Sequence, residues 1–137
     1  MQVKIKQVEG LTFVGKADSN HWVTIDGPKS FFGSEAACRP MELLLISLGA
    51  CTASDVASIL KKKRVDLNKF EINITGERAQ DHPKVFTTIN IEFEFTGKNL
   101  KNEDVERAIE LSKNKYCPIS AMLSNAVKIT YKYKIEK

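Results

Sequence analysis

From Met41 to Leu60 this chain is apolar on almost every side of the helix it predicts. Leu43, Leu44, Leu45, Ile46, Leu48 and Ala50 leave no polar stripe in the first half. Pro40 suits the opening turn, where a missing N–H does no harm. The KKKR run from Lys61 to Arg64 supplies favourable charge near the C-terminus, so the helix is expected to end at about Lys63. A helix of this kind must be covered on most of its faces. One small sheet covers one side, and a second copy of the chain is expected to cover the other. Gly49, Ala50, Ala53 and Ser54 are small enough for another backbone to approach near Cys51. The stretch has the length of a membrane span, but Glu42, Asp55 and several Ser and Thr residues are costly at mid-bilayer. It therefore reads as a buried helix of a soluble protein with no membrane partner.

The segments around it read as strands and shorter helices. Val3-Lys4-Ile5-Lys6 alternates apolar and charged residues, Leu11-Thr12-Phe13-Val14 follows the turn at Gly10, and Trp22-Val23-Thr24-Ile25 follows Ser19-Asn20. Three short strands joined by tight turns predict an antiparallel meander. Beyond the long helix, Phe70, Ile72 and Ile74 mark a fourth strand. Val85, Thr87, Ile89, Ile91, Phe93 and Phe95 form one face of a fifth, the clearest period-two run in the chain. Asn102 is the expected N-cap of a second helix whose face carries Val105, Ala108, Ile109 and Ser112. A short helix from about Pro118 to Asn125 comes next. In the last strand Val127, Ile129, Tyr131, Tyr133 and Ile135 oppose three lysines. The order is βββ-α-ββ-αα-β in an α+β chain.

At 137 residues the simplest organisation is a single domain over 1–137. A net charge of +4 is mild, and the lysines alternate with apolar residues along strands, which argues against a nucleic-acid partner. No secretory signal is read before the first strand. Three cysteines, an odd number, fit a reducing cytoplasm.

Cys51 and Cys117 carry the chemistry. They fall on two separate helices with no CxxC pair, which suggests thiol redox work more than metal binding. If their sulfurs meet, one can be oxidised and the other can resolve it as a disulfide. Cys117 precedes Pro118, at or near an N-cap, a position that favours thiolate. Cys51 lies mid-helix among apolar residues, where desolvation raises a thiol pKa, and Asp55 one turn onward adds a like charge. Cys38 lies in a loop and reads as incidental. His21 and His82 have no metal-ligand spacing to each other or to a cysteine, so no metal is expected. No Gly-rich phosphate loop is present, so no nucleotide cofactor is expected.

The segment PMELLLISLGACTASDVASIL, followed far downstream by KYCPISAML, resembles the OsmC/Ohr family of hydroperoxide reductases. VEGLTFVGKA and ERAQDHPKVFTTINIEFEFTGKNL look especially like its YhfA-type branch. The resemblance covers nearly the whole chain. It implies an OsmC-like fold, with antiparallel sheets wrapped around a long buried central helix in an intertwined homodimer. It also implies reduction of organic hydroperoxides, with Cys51 as the attacking sulfur and Cys117 as the resolving one. An external dithiol, lipoyl-type in part of the family, would restore both thiols, with no metal, haem or flavin. Characterised members use an arginine from the N-terminal region and a glutamate directly after the helix-opening proline. Here no arginine precedes Arg39, and Met41 follows Pro40. Arg39 is the nearest candidate cation, though roughly 18 Å from Cys51 along its own helix at about 1.5 Å per residue. Glu42 is the nearest candidate acid, on nearly the opposite helix face from Cys51, and its simpler reading is a first-turn acid facing the helix dipole.

The expected function is thus a thiol-dependent peroxidase acting on apolar hydroperoxides in oxidative-stress defence. The alternative is a non-enzymatic binder of apolar small molecules, or a redox sensor, on the same scaffold.

Overall fold

A computed structural model describes residues 1–136. Those residues gather into two compact units, divided between Leu44 and Leu45.

In the first unit β1 (Val3–Glu9), β2 (Thr12–Ala17) and β3 (Trp22–Ile25) form the expected antiparallel meander. Gly10 turns the first hairpin in the left-handed region at φ +53°, where side chains are strained. After β3 the chain folds around Asp26, whose side chain is almost fully buried. Its carboxylate accepts from the Gly27, Ser34 and Ala36 N–H groups and from the Thr12 hydroxyl. These bonds hold its carboxyl below the usual range, the Gly27 N–H most strongly, against the opposing cost of burial. The same loop needs Gly33, because a Cβ there would sit 2.0 Å from the Gly27 carbonyl oxygen. This short polar knot gives the loop before the long helix a fixed path.

α1 (Pro40–Lys62) starts in the first unit and runs through the second. It has Pro40 at its first helical position, and Glu42 accepts from the Arg39 backbone N–H at 2.8 Å. That bond is the returning half of a capping box. The second unit continues with β4 (Asp66–Arg78), β5 (Phe86–Lys98), α2 (Asn102–Leu111), α3 (Pro118–Leu123) and β6 (Lys128–Glu136). A single π turn over Ser112–Tyr116 joins α2 to α3. The core is Leu48, Val56 and Leu60 of α1, Ile89, Ile91, Phe93 and Phe95 of β5, and Val105 and Ala108 of α2. Each such large apolar side chain contributes about 1.5–3 kcal/mol on burial. Gly49 lets α1 come close to β4, since a Cβ there would meet Ile74 Cδ1 at 2.7 Å. Phe70 stacks on Phe95 with ring centroids 4.7 Å apart.

The element order matches the expectation, with four differences in detail. The β4-β5-β6 sheet is mixed rather than antiparallel, because β6 runs parallel to β5. α2 and α3 carry the chain back to the starting edge, and a crossover of that length permits parallel pairing. The buried face at the start of β5 is Phe86, not Val85 and Thr87, both of which are exposed. The register shifts where Glu77 pairs with Thr88 but Arg78 with Phe86. The extra residue, Thr87, puts Phe86 on the same side as Ile89. The N-cap of α2 is Lys101 in extended conformation, with Asn102 already helical and no side-chain cap bond. Finally, α1 is buried along one stripe only, through Leu48, Gly49, Thr52, Val56 and Leu60. Ile46 remains 54% exposed, so within one chain the helix is half covered.

Candidate active site

Cys51 and Asp55 occupy adjacent turns of one face of α1. Cys117 caps the N-terminus of α3. The fold brings the two sulfurs and an Asp55 carboxylate oxygen within 4.8 Å of one another. Residues far apart in sequence are thus gathered into one cluster in the second unit.

Each member has its own support. Cys117 is 2% exposed. Pro118 occupies the first helical position, so Cys117 is the cap residue, and its sulfur accepts from the Ser120 N–H at 3.3 Å. The Thr52 hydroxyl, fully buried on α1, donates to the Leu48 carbonyl at 2.9 Å and points to Cys117 Sγ at 3.6 Å. Ser112 donates its hydroxyl to Asp55 Oδ2 at 2.9 Å. The Ser112 carbonyl accepts from the Cys117 N–H at 2.9 Å, closing the π turn. Interruptions of this kind are frequent at functional sites. Behind them the Ser120 and Tyr131 hydroxyls are 2.6 Å apart, and burial pushes the Tyr131 phenol up.

The electrostatics are unfavourable to a thiolate at Cys51. Burial pushes its thiol up to about 11, and its hydrogen bond to Cys117 and the charge of Asp55 act in the same direction. The Ile119 N–H opposes them. Asp55 belongs to no ion pair among the described residues. The local reading of Cys51 as a desolvated thiol beside a like charge therefore stands.

Arg39 and Glu42 belong to the first unit. Arg39 is exposed, and Glu42 is committed to the helix start through the Arg39 N–H. Glu42 is thus the first-turn acid of its simpler reading. Cys38 is exposed in its loop, where its carbonyl accepts from the Asp26 N–H at 3.1 Å. Sequence reasoning missed Thr52, Ser112 and Ser120. Ser112 was legible as an inward-facing residue of α2, but its partner on α1 was not. Spacing placed Asp55 beside Cys51 on α1, but that Cys117 meets them both depends on how the two helices pack.

Open cavities flank the cluster's helices, two of them along α1. One, about 420 Å³, is apolar and lies between α1 and β4, lined by Leu45, Ile46, Ala50, Ala53, Phe70 and Ile72 among others. The other, about 310 Å³, has Asp55 in its wall with Ile59, Lys62, Leu111 and Tyr116.

Residues 33–132 match the family described as OsmC-like protein. Protein YhfA of Escherichia coli K12 is 44% identical over 135 residues, which cover 98% of each chain. A hypothetical protein from Aquifex aeolicus superposes with a TM-score of 0.87 at 32% identity, covering 98% of this chain and 95% of its own. A Legionella pneumophila structure described as an organic hydroperoxide resistance protein OsmC superposes at a TM-score of 0.70, covering 97% and 95%. At 14% identity, this last likeness speaks to the fold alone.

Proposed function

This chain belongs to the OsmC-like protein family, and from that premise we propose that it is a cysteine-based reductase of organic hydroperoxides. The observation that carries the reading is the meeting of Cys51, Cys117 and Asp55 within 4.8 Å. Relatives of the fold described as organic hydroperoxide resistance proteins support a redox role. In this reading Cys51, the more exposed of the two sulfurs, attacks the peroxide oxygen. The O–O bond breaks, an alcohol leaves, and Cys51 becomes a sulfenic acid. Cys117 then displaces water from that sulfur and forms the disulfide. Two electrons have passed from the thiols to the peroxide, and an external dithiol, lipoyl-type by family likeness, returns them. The reading places the protein in the cytoplasm as a homodimer, in which a second copy covers the open face of α1 around Ile46. The apolar walls beside α1 suit alkyl or lipid hydroperoxides over hydrogen peroxide.

The test is direct. Reduced protein mixed with stoichiometric cumene hydroperoxide should lose two of its three free thiols, with a peptide map linking Cys51 to Cys117. Retention of all three overturns the reading.

A second reading is favoured by one specific observation. A thiol pushed up to about 11 is a poor nucleophile at neutral pH. In this second reading the cysteine pair is a slow redox sensor, and the apolar 420 Å³ cavity beside α1 is where a non-enzymatic scaffold would bind apolar molecules. Ligand binding that survives Cys51→Ser, together with peroxide turnover no faster than free cysteine, selects it.

A further inference from the structure

We propose that Cys51, Cys117 and Asp55 form a capture site for a thiophilic divalent cation, Zn²⁺ or Cd²⁺, and that its occupancy closes the dithiol to oxidation. The site shares its residues with the peroxidase reading. The binding rests on geometry alone, while the consequence for peroxide chemistry rests on that reading.

Four observations carry it. First, the donor set is soft and compact. Two sulfurs about 2.3 Å from one tetrahedral ion sit roughly 3.8 Å apart, with a carboxylate oxygen at about 2.0–2.2 Å from the metal. The three donor atoms already lie within 4.8 Å of one another. Second, the ligands stand on rigid supports. Cys51 and Asp55 are one turn apart on α1, and Cys117 is fixed as the cap of α3, with its N–H tied to the Ser112 carbonyl. Third, outer partners are in place. Ser112 donates to Asp55 Oδ2 and so fixes the carboxylate, which keeps lone pairs for a cation. The Ser120 N–H and the Thr52 hydroxyl are directed at Cys117 Sγ, as groups behind a metal-bound sulfur are. Fourth, no side chain cation is paired with Asp55 among the described residues. Three groups that are negative when ionised are therefore gathered with no direct ion pair to the carboxylate, Lys63 on the neighbouring cavity wall being paired with Asp104, and a divalent ion supplies the counter-charge.

Three protein ligands leave a fourth position for water or an exogenous thiol. The cavity that has Asp55 in its wall, with Lys62, Lys63, Leu111 and Tyr116, opens on the carboxylate side of the group. On binding, the ion forms two metal–sulfur bonds and one metal–oxygen bond, and the two thiol protons pass to solvent. No electrons move. The sulfur lone pairs that would attack a peroxide are then held in metal bonds, so peroxide-driven disulfide formation stops until the ion is removed by a chelator.

The experiment uses reduced, metal-free, full-length protein titrated with Co²⁺ and followed by absorbance, then Zn²⁺ in competition. Expected are a sulfur-to-cobalt charge-transfer band at one ion per chain and its displacement by Zn²⁺. Cys38→Ser should leave the band unchanged. Cys51→Ser and Cys117→Ser should each abolish it, Asp55→Asn should weaken binding at least about tenfold, and Ser112→Ala by about 10–100-fold. As a check independent of any variant's folding, Zn²⁺ should protect Cys51 and Cys117 from alkylation in the unaltered chain while Cys38 still reacts. Absence of the band, its loss in Cys38→Ser, or equal affinity in Asp55→Asn overturns the site. Metal-free protein is separately mixed with cumene hydroperoxide. Disulfide formation without cobalt binding sinks this inference and leaves the peroxidase reading standing. Cobalt binding without disulfide formation does the reverse.

Discussion

Ser112 holds Asp55 through its hydroxyl at 2.9 Å and Cys117 through its carbonyl at 2.9 Å. One fully buried residue at the π turn thereby sets the place of an acid on α1 and a sulfur on α3. Ser112→Ala keeps the backbone bond and removes the hydroxyl. A hydrogen bond to a charged acceptor contributes about 1.5–3 kcal/mol, so urea unfolding should show a loss of that order. Disulfide formation under peroxide should slow as Asp55 and its neighbours lose their register. Ser124→Ala, an exposed serine bonded to the Ala121 carbonyl, should stay within about 0.5 kcal/mol. Equal unfolding midpoints for the two variants would remove Ser112 from this role.

The Cys51 thiol, pushed up to about 11, sets a pH dependence. Well below that value the thiolate fraction rises about tenfold per pH unit, so alkylation of Cys51 mapped by mass spectrometry should climb steeply from pH 8 to pH 10. Asp55→Asn removes a charge that raises it, so the curve should move to lower pH. The stability consequence has the opposite sign. A thiol whose folded value lies above its unfolded one leaves stability intact below about pH 8.5 and takes it away as pH rises toward 11. Unfolding midpoints between pH 8.5 and 10.5 should fall further for the native chain than for Cys51→Ser. A Cys51 reactivity plateau near pH 8 would contradict the assignment.

Asp26 works in the other direction. Its carboxyl is held below the usual range, first by the Gly27 N–H. Its contribution is therefore present above the unfolded value of about 3.9 and is lost as pH falls through the folded one. Asp26→Asn keeps the shape, loses two acceptor sites and should destabilise residues 1–44 at neutral pH. The difference from the native chain should shrink on acidification. Limited proteolysis in the Gly27–Ala36 loop at pH 7 and pH 3 reads this out, and a difference that grows in acid would overturn it.

Gly76 and Gly15 separate tight packing from open packing. A Cβ on Gly76 would meet the Phe86 ring at 2.6 and 2.8 Å, whereas one on Gly15 meets Ile25 Cδ1 at an ordinary 3.5 Å. Gly76→Ala should cost about 1–3 kcal/mol through the displaced ring. Gly15→Ala should be tolerated. Thermal unfolding of both variants checks the contrast, and equal losses would mean that Phe86 does not stand over β4 as described.

The legible part of this fold follows from periodicity. Alternation located all six strands, and the prolines at 40 and 118 located two helix starts, so Cys51 and Cys117 were placed on their elements from sequence. Asp55 followed from its spacing of one turn from Cys51. Long-range register was not legible. One extra residue at Thr87 moved the buried face of β5 to Phe86, and alternation alone carries no sign of a bulge. The parallel pairing of β6 depends on where two helices deliver the chain, which no local pattern states. Thr52 and Ser120 also escaped, because a buried hydroxyl and an exposed one look alike on a helical wheel until the partner sulfur is known. The resemblance to family members suggested an arginine and a glutamate that this chain lacks at the matching positions. Glu42, the nearest acid, instead caps its own helix.

The half-covered α1 gives the last prediction. Ile46 is 54% exposed and, with Ala50 and Ala53, lines an open apolar cavity against Phe70, Ile72 and Ile74 of β4. A charge at position 46 costs little in a lone chain, because the side chain already meets solvent. In a homodimer built on this face the same charge would be desolvated against apolar side chains without a partner, at a cost of several kcal/mol. Ile46→Glu should therefore leave far-UV circular dichroism unchanged while sedimentation shifts from twice the 15.4 kDa chain mass to the monomer. Ile46→Leu should remain dimeric. A native chain that sediments as a monomer at micromolar concentration, or an Ile46→Glu variant that stays dimeric, would move the subunit contact away from this face of α1.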